Sequence, residues 1–255
     1  MSKRQIPLEQ VKFDPDTETL DGIWRGKVYL IQPKKGYRYS IDAPLLADFV
    51  KTRRPAKVLD LGCGCGIIGL MLLTSGKASH ATGVEVQEPL ANLARRNGDI
   101  NGLGDVFDVL QRDLRELDAS NHNSFDLIVS NPPFFKEGCG FPNPDKSVAI
   151  ARHELLCNVD DINCIARKCL RDGGRVALIY PAERSADVLA SFVRNRLTPT
   201  RLRFVHSRDG EKAVLVLAEA RKGKGKPLTV EGPFVLYGSD GKYTARAKAV
   251  WESED

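Results

Sequence analysis

Twelve residues near position 60 constrain this chain more than any other part of it. Val58-Leu59-Asp60-Leu61 reads as an apolar strand, Gly62-Cys63-Gly64-Cys65-Gly66 as a turn with glycine at every second place, and Ile67-Ile68-Gly69 as the opening of a helix. Glycine allows positive φ and lets a ligand approach the main chain closely. The helix start beyond it offers free N–H groups. A strand, glycine turn and helix in that order belong to an open α/β sheet, which binds ligands at the carboxyl ends of its strands. The spacing excludes one class of ligand. Dinucleotide loops follow G-x-G-x-x-G, and here the residue three after Gly64 is Ile67.

The pattern around the turn supports this reading. Strand candidates are Lys57–Leu61, Ala81–Val86, Phe107–Gln111, Phe125–Ser130 and Arg175–Tyr180, mostly apolar runs suited to a sheet covered on both faces. Helical stretches near Gly69–Ser75, Pro89–Asn97, Asp160–Leu170 and Ala182–Asn195 lie between them. Alternation of this kind predicts a largely parallel sheet wrapped by helices. Two further strands, Arg201–His206 and Ala213–Ala220, flank a turn containing Asp209-Gly210, which is a hairpin signal. Upstream, Val28–Ile31 predicts a short β segment ended by Pro33, and Ser40 or Asp42 is placed to cap a helix carrying Leu45, Leu46, Phe49 and Val50. The expected division is an N-terminal segment (1–52) packed on a catalytic domain (53–222), followed by a tail (223–255). The apolar residues Phe234, Leu236, Tyr237, Tyr243 and Trp251 imply that the tail packs against the rest.

The turn resembles the D-x-G-x-G-x-G signature of S-adenosylmethionine-dependent methyltransferases, with Asp60, Gly62, Gly64 and Gly66 in its places. In that signature the loop receives the amino-acid part and the ribose of the cofactor. Glu85, before Val86 at the end of the second strand, can accept from two ribose hydroxyls. After the third strand, Asp113 can accept from an adenine amino group while the N–H of Leu114 donates to the ring. One acid alone would read as a solvated loop residue. Three acids at three successive strand ends point to a ligand.

The fourth strand runs into Asn131-Pro132-Pro133-Phe134. These residue types suit methylation of a planar NH2 group, whose lone pair is delocalised and therefore weakly nucleophilic. The Asn131 side-chain oxygen accepts one N–H and the Pro132 carbonyl accepts the other, which favours a pyramidal nitrogen. Each proline biases the residue before it towards an extended conformation, so both acceptors are set in advance. Phe134 offers a face for stacking a base, worth about 1–3 kcal/mol.

With these residues in view, the chain resembles the bacterial tRNA1(Val) adenine-37 N6-methyltransferase family. The resemblance begins at Asp21-Gly22, takes in the continuous stretch Ile31–Asp42 and then Leu45–Ala47, and extends through the glycine turn and Asn131–Phe134 to Ala151-Arg152-His153-Glu154. It implies a Rossmann-like, seven-stranded methyltransferase fold with an antiparallel last strand. It also implies S-adenosylmethionine as donor and N6 of an adenine beside the anticodon of a tRNA as acceptor. Lys34, Lys35, Arg38 and Arg152 are candidates for holding RNA, with Arg201, Arg203, Arg208 and Lys212 near the late hairpin and Lys222, Lys224 and Lys226 as further cationic clusters. His153 reads as an anchor for a helix start.

Three other readings stay open. Release-factor glutamine N5-methyltransferases use a similar motif but carry an N-terminal helical domain, whereas about fifty partly β-forming residues precede the strand that leads into the turn here. Ribosomal guanine N2-methyltransferases share the motif and often duplicate the domain. A non-catalytic RNA-binding module with an inherited pocket would be expected to lose Asn131 or Glu85. Composition permits all of these, with a net charge of +5 that allows an anionic partner without requiring one. No apolar run approaches the roughly 20 residues of a membrane span, and the polar N-terminus points to a cytoplasmic protein. Six cysteines without paired spacing read as reduced thiols, and no metal site is expected from them or from the four histidines.

Overall fold

The computed structural model describes residues 7–36, 38–117, 119–132 and 158–251. Its centre is a mixed sheet built from β3 (Ala56–Leu61), β4 (Ala78–Glu85), β5 (Phe107–Gln111), β6 (Phe125–Ser130), β7 (Leu170–Pro181), β8 (Leu197–Arg208) and β9 (Ala213–Lys222). Across the sheet the order is β8-β9-β7-β6-β3-β4-β5. Neighbours from β7 to β5 run parallel, and β9 enters antiparallel between β7 and β8. These are the seven strands and the antiparallel last strand expected from the sequence.

Side chains alternate between the two faces of each strand, and the core divides accordingly. Leu127, Val129, Ala177 and Ile179 join one apolar cluster with α1 (Asp42–Phe49), α2 (Ile67–Thr74) and α3 (Glu88–Ile100). Ile128, Val176, Leu178 and Tyr180 face the other cluster, against α4 (Val159–Cys169) and α5 (Ser185–Arg194). A capping box starts α4: the Asn158 side chain accepts from the N–H groups of Asp160 and Asp161, while Asp161 accepts from the Asn158 N–H.

An antiparallel hairpin of β1 (Glu18–Ile23) and β2 (Val28–Pro33) lies outside this sheet and packs on α3. Asn101 and Asn97 make the attachment by hydrogen bonding both backbone groups of Tyr29 and of Ile31. After residue 222 the chain adds two short parallel strands to β8, β10 (Thr229–Val230) and β11 (Phe234–Tyr237). It then forms α6 (Ala245–Trp251), whose Val250 carbonyl accepts from the Trp24 indole at 2.7 Å. No helix among the described residues is long and apolar enough to cross a membrane.

Several local expectations need correction. Neither Ser40 nor Asp42 is the N-cap of α1. Ile41 takes that place without a side-chain cap, and Ser40 accepts only a long 3.4 Å bond from the Asp42 N–H. The helix expected over Ala182–Asn195 begins as a 3-10 turn at Ala182–Arg184 before α5. Strand β7 starts five residues before the expected Arg175, with a register shift against β6 and Gly173 at φ +76°.

Candidate active site

The carboxyl ends of β3, β4, β5 and β6 meet at one edge of the sheet. The Gly62 and Cys63 N–H groups donate to the Val84 carbonyl at 2.9 and 3.1 Å, which bends the chain off β3 against β4. Gly62, Gly64 and Gly66 all have positive φ. A Cβ on Gly62 would meet nothing within 4 Å, so the turn leaves its main chain open to a ligand there. A Cβ on Gly66 would sit 2.9 Å from the Phe107 ring, so this glycine is required by packing as well as by φ. Gly66 is also the N-cap residue of α2 and makes no side-chain cap.

Glu85 is buried at the end of β4. Its carboxylate accepts from the Gly64 N–H at 3.0 Å and from the Gln87 N–H at 2.9 Å. It therefore fixes the glycine turn, and two oxygens with about four acceptor sites leave room for hydroxyl donors as well. Beside it Val86 is exposed, an apolar face next to an acceptor. Asp113 follows β5 and is engaged by its own neighbour: Arg115 donates from the backbone N–H at 2.9 Å and from the guanidinium at 3.0 and 2.5 Å. The Arg115 hydrogen bond holds the Asp113 carboxyl below its ordinary range. Leu114 is half-buried beside it.

Asp60 is fully buried, and neither carboxylate oxygen has a hydrogen-bond partner among the described residues. An orphaned buried acid at the base of a glycine turn fits a cofactor that carries an ammonium group, as the amino-acid part of S-adenosylmethionine does. Burial pushes the Asp60 pKa from 3.8 up to about 7, opposed by the nearby Gly69 N–H and reinforced by the Glu85 carboxylate. Folded protein therefore keeps a proton that the unfolded chain has lost between about pH 4 and 7. Across that window the Asp60 contribution to stability falls with rising pH by about 1.4 kcal/mol per unit, and it is level above. In Asp60→Asn this dependence is expected to disappear. Urea unfolding of both proteins across about pH 4 to 8 tests it, and a free-energy difference that does not change with pH would contradict the assignment.

Asn131 follows β6, half-buried, with Pro132 buried after it. The Ser130 hydroxyl donates to the Leu61 carbonyl at 2.7 Å. Together with the pairing of Asp60 with Val129, this bond sets Asn131 beside Gly62. Asp60, the three glycines, Glu85, Val86, Asp113, Leu114, Asn131 and Pro132 thus share one end of the sheet. Pro133, Phe134, Arg152 and His153 lie outside the described residues.

The basic candidates separate differently. Arg38 is held by Asp21 at 2.8 Å, Thr19 and the Pro33 carbonyl, and Lys34 donates to the Pro15 carbonyl; both fasten the hairpin. Lys35 is exposed. Arg201 and Arg203 are not surface cations. Both are buried over the Phe49 ring and paired with Glu219, Glu231 and Asp48. Lys222 is likewise buried in β9, donating to Asn123 and to the Leu170 carbonyl. Arg208 pairs with Glu211 on the surface.

One residue that sequence alone did not single out supports the turn. Fully buried Asn97 donates to the carbonyls of both Ile31 and Cys65, tying the hairpin to the glycine turn. Half-buried Tyr39 lies near enough to Asp21 and Cys65 that, after burial itself, both raise its pKa. Cys63, Cys65 and Cys169 are buried and free; burial pushes the Cys65 thiol up to about 12 and moves Cys63 up as well. No group of potential metal ligands occurs among the described residues.

Comparison with known proteins agrees with this architecture. Residues 40–195 match the family described as Methyltransferase small domain. A Porphyromonas gingivalis protein named tRNA1(Val) (adenine(37)-N6)-methyltransferase is 34% identical over 66% of this chain and 66% of its own length. An Aeromonas hydrophila protein of the same name is 30% identical over 80% of this chain and 84% of its own. Among solved structures, a predicted O-methyltransferase from Agrobacterium tumefaciens superposes with a TM-score of 0.64 at 24% identity, covering 82% of this chain and 94% of that one. Geranyl diphosphate C-methyltransferase from Streptomyces coelicolor, solved with S-adenosyl-L-homocysteine, gives 0.51 at 14% identity over 71% of this chain and 75% of its own. These last two share the fold. The chain belongs to the Methyltransferase small domain family and, within it, to the tRNA1(Val) (adenine(37)-N6)-methyltransferase family.

Proposed function

We propose that this chain transfers a methyl group from S-adenosylmethionine to the exocyclic N6 amine of an adenine in tRNA, at position 37 as in the names of its relatives. The observation that carries the reading is the placement of Asn131 beside the glycine turn, with the acids at the ends of β3, β4 and β5 around the same edge. When bound, the cofactor supplies a methyl carbon made electrophilic by its sulfonium.

The chain's own residues do the rest. Asp60 offers buried carboxylate oxygens as acceptors for the ammonium end, and the open main chain at Gly62 admits the cofactor's amino-acid part. Glu85 accepts from the ribose hydroxyls while holding Gly64. Asp113, Leu114 and exposed Val86 receive the adenine ring of the cofactor. The Asn131 side-chain oxygen and the Pro132 carbonyl accept the two N–H bonds of the target amine, which restores nucleophilic character to its nitrogen. Pro133 stiffens that segment, and Phe134 stacks on the target base. No side chain has to remove a proton first, since the cationic nitrogen formed by transfer loses its proton to water afterwards.

Labelled cofactor, offered in turn with bulk tRNA, ribosomal RNA and a release factor, tests the assignment. Label recovered as N6-methyladenosine at position 37 of tRNA is expected. Label in N2-methylguanosine or in protein contradicts the substrate, and no transfer at all contradicts the enzyme.

A further inference from the structure

The opposite end of the sheet carries a groove of about 520 Å³ that takes no part in the site above. It opens where β3, β6 and β7 begin and β9 ends, and residues 52–54, before β3, form one wall. Asp126, on the groove, and Asn131, at the active edge, lie at opposite ends of β6, about 17 Å apart at 3.3 Å per residue.

Seven cationic side chains and two carboxylates line this groove, an excess of five positive charges. The whole chain has a formal net charge of +5, so its imbalance is concentrated here. Part of the charge is internally matched: Arg171 pairs with Asp126, while Arg175 and Arg201 share Glu219. Arg53, Arg54, Arg221 and Lys226 are exposed, and their side chains have neither an ion pair nor a hydrogen bond among the described residues. The Arg221 guanidinium lies over Gly173, where a Cβ would stand 2.9 Å from it, so its position depends on that glycine. Three unpaired guanidiniums and an ammonium along one open channel suit a row of phosphate groups, which arginine binds through two parallel N–H bonds.

We propose that this groove holds phosphodiester backbone of the RNA substrate at a point remote from the base being methylated. The inference rests on RNA being the substrate. A row of phosphates joined along one chain presents several anionic groups to several cations in the groove, which a single small anion does not. Because the groove and the active edge are at opposite ends of β6, the RNA engages the protein on two sides and is oriented before the target base enters.

The test measures binding of full-length tRNA as a function of salt, without reference to methyl transfer. In the triple variant Arg53→Ala, Arg54→Ala, Arg221→Ala, affinity is expected to fall at least about tenfold near physiological salt. The slope of log affinity against log salt is expected to become shallower by about 2, at roughly 0.7–0.9 per lost phosphate contact. Cofactor affinity is expected to be unchanged, which shows that the variant is folded. The corresponding triple lysine variant keeps the charge and is expected to recover most of the slope. Wild-type affinity and slope in the alanine variant would overturn the proposal, as would loss in the lysine variant equal to that in the alanine variant. So would a groove-dependent affinity for inorganic pyrophosphate together with unchanged tRNA binding, which would mark a small-anion site. Groove-dependent tRNA binding without adenine methylation would instead refute the catalytic reading and leave the groove standing.

Discussion

Asn131→Ala is expected to lower the single-turnover rate of methyl transfer by about 10²–10³-fold, the usual cost of removing one positioned hydrogen-bonding group from a reacting centre. The mechanism assigns this side chain the one acceptor that is not main chain. Without it the target nitrogen stays planar and its lone pair stays in the ring. The fold is expected to survive, because Asn131 is only half-buried and the Ser130–Leu61 bond that ends β6 is untouched. Asn131→Asp keeps an acceptor oxygen and is expected to lose less. Rates measured at saturating cofactor and RNA check this, and a rate in Asn131→Ala within a few-fold of wild type would remove the proposed chemistry.

Glu85→Ala is expected to weaken cofactor binding by about 10²-fold, since hydrogen bonds to a charged group are worth about 1.5–3 kcal/mol each. Two effects combine. The ribose hydroxyls lose their acceptor, and the N–H groups of Gly64 and Gln87 lose theirs, which loosens the glycine turn. Glu85→Gln retains one acceptor oxygen but turns an NH2 towards an N–H donor, so it is expected to lie between the alanine variant and wild type. Calorimetric titration with S-adenosylmethionine, alongside a melting curve for each variant, separates the two effects. An unchanged affinity in the alanine variant would contradict the ribose role of Glu85, and a lowered melting temperature alone would leave it only a stability role.

The strands around the site were legible in sequence because they are short, largely apolar runs. Phe107–Gln111 and Phe125–Ser130 were read to the residue, and the antiparallel hairpin followed from Asp209-Gly210. Strand extensions and the additions from the tail were not legible. Strands β10 and β11 span only two and four residues, too few for alternation to stand out in the sequence, although Phe234 and Leu236 of β11 are buried. Arg201 and Arg203 read as surface cations because their carboxylates, Glu219, Glu231 and Asp48, lie 18 or more residues away and meet them only in the fold. Asn97 was missed for the same reason: on a helix face one asparagine resembles any solvated one until the hairpin arrives to take both ends of its amide. The glycine turn was the opposite case, since its function depends on backbone freedom that the residue type itself discloses.

The central claim is that the β3 turn and the β6 end form one pocket, in which a methyl donor meets an amine. A crystal structure of the protein with S-adenosylhomocysteine and an adenine-containing RNA fragment tests that claim most directly. The account predicts the product cofactor along Gly62–Gly66 with its ribose on Glu85, and the adenine N6 within hydrogen-bonding distance of both the Asn131 side-chain oxygen and the Pro132 carbonyl. A cofactor seated elsewhere, or an Asn131 side chain turned away from the ligand with no base beside it, would contradict the account.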